Sequence, residues 1–258
     1  MPNKLAFITG ASSGIGQAVT HKFAAAGFDL VVCARRQNRI EELSRLLQEQ
    51  YQIAVHGLTI DVRDQNAVTA AIKTLPDSLR NIDVLVNNAG LSRGLDSIER
   101  GLISDWEEMI DTNVKGLLYV SRALLPHMVE RGSGHVINVG SIAGHEVYPN
   151  GAVYCASKHA VDAITKGMRI DLCQHRIKVS TIDPGLVNTE FSNVRFHGDQ
   201  SRADATYNGM TPLSADDVAD TILYMAEAPA HVNLAEVLLL PADQAAATVV
   251  KRDQVNHD

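Results

Sequence analysis

The chain has 258 residues, of which 45% are hydrophobic, 21% charged and 5% aromatic. That length suits one large α/β domain or two small ones, with enough apolar content for a substantial core. Acidic residues outnumber basic ones by 30 to 23, a formal net charge of −7 with no basic stripe, which argues against a nucleic-acid binder held by phosphate contacts. Cys33, Cys155 and Cys173 have no CxxC spacing, so neither a disulfide scaffold nor a zinc ribbon is expected. The histidines are scattered without HExxH or paired ligand spacing, and no metal site is expected. No apolar run approaches the ~20 residues that cross a bilayer. The opening MPNKLAFITG runs directly into a motif rather than a signal-peptide core. The expectation is a cytoplasmic globular enzyme with no membrane partner.

In chain order, short apolar runs at 5–8, 30–33, 53–58, 84–86, 135–139, 178–182 and 237–240 have the form of strands buried on both faces. Between them, 16–26, 39–50, 67–74 and 105–131 carry helical spacing. Ser104 followed by Glu107, and Ser214 followed by Asp217, have the form of capping boxes. No repeat, low-complexity tract or Pro/Gly-rich linker divides the chain, so residues 1–258 are expected to form a single domain. Strand–helix alternation of this kind predicts a parallel sheet covered by helices on both faces. The polar stretch 186–210 has no clear period and is expected to be a mobile substrate loop or lid.

The first strand leads into Gly10-Ala11-Ser12-Ser13-Gly14-Ile15-Gly16 and a helix. Glycines at such a turn let the backbone approach a pyrophosphate, and the helix N-terminus offers N–H donors and positive potential. A plain tight turn would use the same residues, so the strand–turn–helix context carries the argument. An NAD site wants an acid about 20 residues further on, for the ribose hydroxyls. Here the second strand ends in Ala34-Arg35-Arg36, and forked guanidinium donors suit a 2′-phosphate. NADP(H) is therefore favoured over the alternative that both arginines are surface charges at a helix start. Asp61-Val62 and Asn87-Asn88-Ala89-Gly90 follow the third and fourth strands. They could face the adenine and fix a close turn, or be ordinary turn chemistry.

Tyr154 and Lys158 are four apart and share a helix face, with Ser141 thirteen positions before Tyr154. A lysine ammonium beside a phenol favours the phenolate. The phenol can then exchange a proton with a carbonyl or alcohol oxygen, which a serine hydroxyl could polarise. A Tyr/Lys pair alone could equally lie on a solvated helix. Cys155, next to the tyrosine, has the character of a small buried helix residue.

Together, TGASSGIG, NNAG, Asn113 in DTNVKG, Ser141, Tyr154-Cys155-Ala156-Ser157-Lys158 and Pro184-Gly185 resemble the short-chain dehydrogenase/reductase family along essentially the whole chain. The resemblance implies a Rossmann-type, doubly wound, seven-stranded parallel sheet and a dinucleotide cofactor. It implies a tetrad of Asn113, Ser141, Tyr154 and Lys158. Tyr154 would be the acid–base, Lys158 would hold the nicotinamide ribose and tune Tyr154, and Asn113 would anchor a relay water. Pro184 to Thr189 is similar to the family's nicotinamide-facing turn, with Val187 and Thr189 near the carboxamide. The family also implies a homotetramer, and Ala34-Arg35 goes with NADP(H).

The substrate walls should be the stretch after Ser141, the 186–210 loop and the C-terminal segment, which carry His145, Tyr148, Arg195, His197, Arg202 and Gln244. An arginine there points to a small anion. Thr189 to Phe196, Asp105 to Asn113 and His231-Val232-Asn233 resemble the NADP-dependent 3-hydroxy acid dehydrogenases, with sulfoacetaldehyde reductases as neighbours. Arg195 and Tyr148, with Gln244 assisting, are expected to grip the anion of sulfoacetaldehyde or malonic semialdehyde. A serine or allo-threonine dehydrogenase remains open, with Glu190 or Asp199 to accept an ammonium. So do a 3-oxoacyl thioester reductase and a dinucleotide-sensing binding protein.

Overall fold

The computed structural model describes residues 3–253. The strands are β1 Leu5–Thr9, β2 Asp29–Ala34, β3 Val55–Thr59, β4 Val84–Asn87, β5 Gly134–Val139, β6 Ile177–Pro184 and β7 Glu236–Leu239. They form one sheet in the order β3-β2-β1-β4-β5-β6-β7, and every neighbouring pair is parallel. The order reverses between β1 and β4. In open α/β sheets, ligands bind outside the carboxyl ends of the strands at such a switch point.

The longer helices are α1 Gly14–Ala25, α2 Gln37–Tyr51, α3 Gln65–Lys73, α4 Ile103–Ile110, α5 Leu117–Arg131 and α6 Ala152–Leu172. Two short ones, α7 Glu190–Arg195 and α8 Gln200–Ala205, precede α9 Ala215–Glu227. Alternate strand residues serve two cores. Ala6, Ile8, Leu30 and Val32 pack with Val19 and Phe23 of α1, Ile40 of α2 and Ile222 of α9. Leu5, Phe7, Val31 and Leu85 pack with Val68 of α3 and Leu124 of α5 on the other face. This two-sided burial explains why the inner strands read as unbroken apolar runs rather than alternating ones; the edge strands β3 and β7, expected to be buried on both faces, are partly exposed because each has a neighbour on one side only.

Three local expectations are corrected. The single helix expected over 105–131 is α4 and α5 joined by a π turn over Asp111–Gly116, a distortion often found at functional sites. The Ser104/Glu107 capping box does not form, because α4 starts earlier and Leu102 holds the cap position. The expected loop 186–210 contains α7 and α8. It is tied down by Arg93 Nη1 donating to the Val194 carbonyl at 2.8 Å and by Tyr207 Oη donating to the Val187 carbonyl at 2.8 Å. The Ser214/Asp217 box is present at the start of α9.

His135, on β5, is buried among the strands. Its Nε2 lies 2.8 Å from the Ser180 hydroxyl, which donates to Asn233 Oδ1 at 2.8 Å. Burial, with a smaller contribution from Lys178, pushes the imidazole down from 6.5 to about 3. Below about pH 6.5 the unfolded chain takes up a proton that the folded chain refuses, so stability falls as pH drops toward 3. Denaturant titrations should show a loss of about 2–3 kcal/mol between pH 7 and 4.5 from this group. In His135→Gln that part of the slope should vanish.

Candidate active site

A cleft of about 310 Å³ opens along the carboxyl ends of the strands. At one end, β1 turns through Gly10, at φ +66°, into α1. A Cβ on Gly16 would strike the Gly10 carbonyl, so only glycine lets α1 pack this close to the strand end. Ser13 takes the cap position of α1 without a side-chain cap bond, and the first turn has no acidic residue. That leaves backbone donors and positive potential at the cleft wall formed by Ser12, Ser13, Gly14 and Ile15.

Arg35 and Arg36 line the same cleft. Arg36 Nη2 donates to Ser12 Oγ at 3.0 Å and Ser13 Oγ at 2.9 Å. Glu190 of α7 reaches Arg36 at 3.5 Å and Arg39 at 3.2 Å. Asp61 and Val62 are also in the wall. Burial pushes the Asp61 carboxyl up, but the Arg63 hydrogen bonds and charge outweigh it and hold the group below its ordinary value.

Of the NNAG segment, Asn88, Ala89 and Gly90 face the cleft. Asn87, expected there, is turned into the protein, donating to Ser121 Oγ at 3.0 Å and Asn138 Oδ1 at 2.9 Å. Strand alternation decides this, because the last β4 side chain points between the helices. Thr9, which sequence reading passed over, accepts from the N–H groups of Asn88 at 3.0 Å and Ala89 at 2.9 Å, locking the turn.

Ser141, Tyr154 and Lys158 converge at the other end, with Pro184, Gly185, Val187 and Thr189 opposite. Tyr154 is 7% exposed and Lys158 6%. Lys158 Nζ donates to the Val139 carbonyl at 2.9 Å and sits 5.9 Å from the Tyr154 ring centroid. Burial lowers Lys158 to about 8, against the attraction of Asp183. Burial raises the Tyr154 phenol, opposed by the charge of Arg195 and by a hydrogen bond with Ser141. The cation expected to oppose that rise was Lys158; the cation that opposes it in the structure is Arg195.

Asn113 lies in the π turn and does not face the cleft through its side chain. Its Oδ1 accepts from Leu91 N–H at 2.8 Å, and its Nδ2 donates to the Leu91 carbonyl at 2.8 Å and Ser157 Oγ at 3.0 Å. The amide is a strut between the fourth-strand loop and α6.

Arg195 Nη2 donates to the Tyr148 hydroxyl at 3.2 Å. Its guanidinium carbon is 5.3 Å from the Tyr154 ring centroid and 5.2 Å from that of Phe191. Three other wall candidates are placed elsewhere. Gln244 is a latch: its Oε1 accepts from Leu186 N–H at 2.8 Å and its Nε2 donates to the Ala246 carbonyl at 3.3 Å. Arg202 stacks on Phe196 at 4.4 Å. His197 lies 3.0 Å from Asp105 Oδ2. Phe191 and Val194 line the cleft, and Arg93 supports it from behind; sequence reading gave none of the three a role in the site. Arg93 joins Glu108 at 2.7 Å to the α7 end of the lid. Its position three residues past NNAG was its only signal.

The fold and the cleft define a dinucleotide-binding oxidoreductase of the doubly wound α/β class. The family model described as short chain dehydrogenase matches residues 4–200, and the chain belongs to that family. It is 43% identical to sulfoacetaldehyde reductase 2 of Chromohalobacter salexigens, over 96% of this chain and 99% of that protein. It is 42% identical to the NADP-dependent 3-hydroxy acid dehydrogenase YdfG of Escherichia coli, over 94% of this chain and 97% of that one. Among solved structures it resembles the closed form of serine dehydrogenase complexed with NADP+, with a TM-score of 0.90 at 40% identity, covering 97% of this chain and all of the other.

Because both ends of the Gln244 amide bond to the protein's own backbone, Gln244→Ala should lower stability by about 1–3 kcal/mol, the cost of unpaired buried backbone groups. Thermal melts should register that loss. The KM for a carbonyl substrate should move by less than about threefold, as expected when no substrate contact is removed.

Proposed function

We propose that this protein reduces a small anionic aldehyde or ketone to its hydroxy form, with sulfoacetaldehyde and malonic semialdehyde as the leading candidates. The coenzyme is NADP(H). The glycine turn, the free α1 donors and the arginine pair at the end of β2 fit a dinucleotide carrying an extra phosphate. When bound, NADPH supplies the hydride that adds to the carbonyl carbon. One proton is consumed at the oxygen, leaving the alcohol and NADP+.

The chain supplies that proton and the alignment. Tyr154 donates its phenolic proton to the carbonyl oxygen. Ser141 Oγ accepts from Ala143 N–H at 3.1 Å and its hydroxyl hydrogen-bonds the Tyr154 phenol, which places it beside the oxygen that the phenol protonates. Lys158, held by the Val139 carbonyl, places positive charge beside the phenol and favours its ionised form as the proton leaves. With its side chain committed to Leu91 and Ser157, Asn113 holds the loop after β4 against α6 and so fixes the wall beside the acid–base pair. Phe191 and Val194 give the cleft an apolar wall.

The observation that carries the substrate class is Arg195 stacked beside the Tyr154 ring and bonded to Tyr148. A guanidinium there grips an anion one or two bonds from the reacting carbon. An amino acid substrate is less well served. Glu190 is engaged by Arg36 and Arg39, and Asp199 caps α8 by accepting from Arg202 N–H at 3.1 Å. Both carboxylates already have partners within the protein. The relatives named for sulfoacetaldehyde and for 3-hydroxy acids support a compact anionic substrate.

The family's homotetramer is part of this reading, and Ile170 and Leu118 are exposed apolar residues that such packing would cover. None of the described helices is long and apolar enough to cross a membrane; a cytoplasmic location is a separate part of the proposed reading. The question whether the C-terminal end reaches a neighbouring subunit falls largely on residues 254–258, outside the described residues. Up to Asp253 the chain folds back on its own lid, with Arg252 Nη2 donating to the Thr206 carbonyl at 3.0 Å.

A kcat/KM panel with NADPH against sulfoacetaldehyde, malonic semialdehyde, a serine-type substrate and a pantetheine thioester tests the reading. The anionic aldehydes should lead, and the thioester ranking first would overturn it. Arg195→Ala should raise the KM for the preferred aldehyde by ~10–100-fold, the loss of a charged hydrogen bond. In a double replacement of Arg35 and Arg36 by alanine, fluorescence titration should show NADPH binding weakened by ~10–100-fold and NADH binding by less than about threefold.

A further inference from the structure

The proposed substrate class turns on Arg195, and the helix that carries it is too short to hold it in place. Arg195 is the last residue of α7, which has six residues, against the ~12–15 that an isolated helix needs in water. The final carbonyls of a helix also lack partners within it. Here two of them are taken from outside. Arg93 Nη1 donates to the Val194 carbonyl at 2.8 Å, and the backbone N–H of Gly94 donates to the Arg195 carbonyl at 2.9 Å. Two residues past Arg195, His197 brings Nε2 to 3.0 Å from Asp105 Oδ2 on α4. The end of α7 is thus capped by the loop after β4 and tied to α4.

Arg93 is itself fixed. Its Nε donates to Glu108 Oε2 at 2.7 Å, so one planar guanidinium spans from α4 to the end of α7, with separate N–H groups for each. Both side chains are half-buried, where a charged pair of good geometry is screened less than on the open surface. The other Glu108 oxygen lies 3.5 Å from Arg35 and 3.6 Å from Arg63, which anchors the carboxylate from its far side. Arg93 stands behind the cleft wall rather than in it. Arg195, in contrast, has a donor to spare. Its Nη2 is on Tyr148, while its Nε is buried with no acceptor among the described residues.

We propose that Arg93 is a positioning residue for anion recognition: it clamps the end of α7 so that Arg195 keeps its guanidinium over the Tyr154 ring, within reach of an anion whose carbonyl meets the phenol. This rests on the reading of Arg195 as the anion-binding residue. Arg93 does not touch the substrate, and it acts through the backbone that carries Arg195.

The effect of losing the clamp is selective. A shift of about 1 Å in Arg195 is enough to weaken a charged hydrogen bond to a short substrate. An aldehyde without a charge makes no such bond and is indifferent to the shift.

Steady-state kinetics with NADPH on Arg93→Ala, Arg93→Met and Arg93→Lys test this against two aldehydes. One is whichever of sulfoacetaldehyde and malonic semialdehyde the unaltered protein reduces faster, and the other is neutral butanal. In Arg93→Ala the KM for the anionic aldehyde should rise by about 3–10-fold, while kcat/KM for butanal stays within about twofold. Arg93→Met keeps the packed stem but donates nothing. It should behave as Arg93→Ala does, and it reads the same link if Arg93→Ala does not fold. Arg93→Lys, a charged donor without the fork, should recover part of the loss. In an Arg195→Ala background, Arg93→Ala should add less than about twofold to the anionic KM, because the two act in series. Hydrogen exchange over residues 193–199 should be faster by about threefold or more in Arg93→Ala or Arg93→Met. An unmoved anionic KM, equal losses on both aldehydes, a full further loss in the Arg195→Ala background or unchanged exchange would each overturn the proposal. An Arg195→Ala protein with an unmoved KM would instead sink the anion reading, and the exchange rates would still judge whether Arg93 holds the end of α7.

Discussion

A lysine ammonium shut away from water organises the reacting end of this protein. Such a charge is tolerated only where acceptors and counter-charge are already in place. For Lys158 the acceptor is the Val139 carbonyl at 2.9 Å, and the counter-charge is Asp183. The first belongs to the end of β5 and the second to β6, while the lysine itself comes from α6. Three elements must therefore meet at one edge of the sheet before the lysine can be buried. A parallel sheet brings them together by directing every strand's carboxyl end to the same side. Tyr154, one turn before Lys158 on the same helix, is placed by the same packing.

The cleft also separates local charge from net charge. The chain is acidic overall, yet Arg35 and Arg36 line one end of the cleft and Arg195 stands over Tyr154 at the other. Binding of anions depends on these local fields within low-dielectric walls rather than on the sum over the surface. Glu108 holds the framework between the two ends, with Arg93 at 2.7 Å, Arg35 at 3.5 Å and Arg63 at 3.6 Å. Its carboxyl, raised by burial, is brought below its ordinary value mainly by Arg93. Through the Arg93 bond to the Val194 carbonyl, this framework reaches the lid that carries Arg195.

Some expectations failed for reasons that lie in three dimensions. Gln244 is polar and near the C-terminus, which made it a plausible wall residue. Only the folded chain shows both ends of its amide taken by the backbone. Asn87 and Asn88 are indistinguishable as neighbours in a motif. The pleat of β4 sends the first inward and leaves the second at the cleft. Asn113 was legible as a special position, but the use of its side chain as a strut depends on a π turn that no helical period reveals.

From its residues alone, the chain determined the α/β alternation, the glycine turn at the end of β1, the paired arginines after β2 and the Tyr154/Lys158 spacing on one helix face. These are local properties: strand burial, backbone approach and helical period are written in a few adjacent positions. Tertiary structure alone decided that Arg195 lies over Tyr154, that Thr9 locks the NNAG turn, and that Asp183 joins His145 to the Ser141 and Lys158 region. Those contacts join residues dozens of positions apart or on separate elements, and their geometry exists only once the sheet edge and the helices packed on it have assembled.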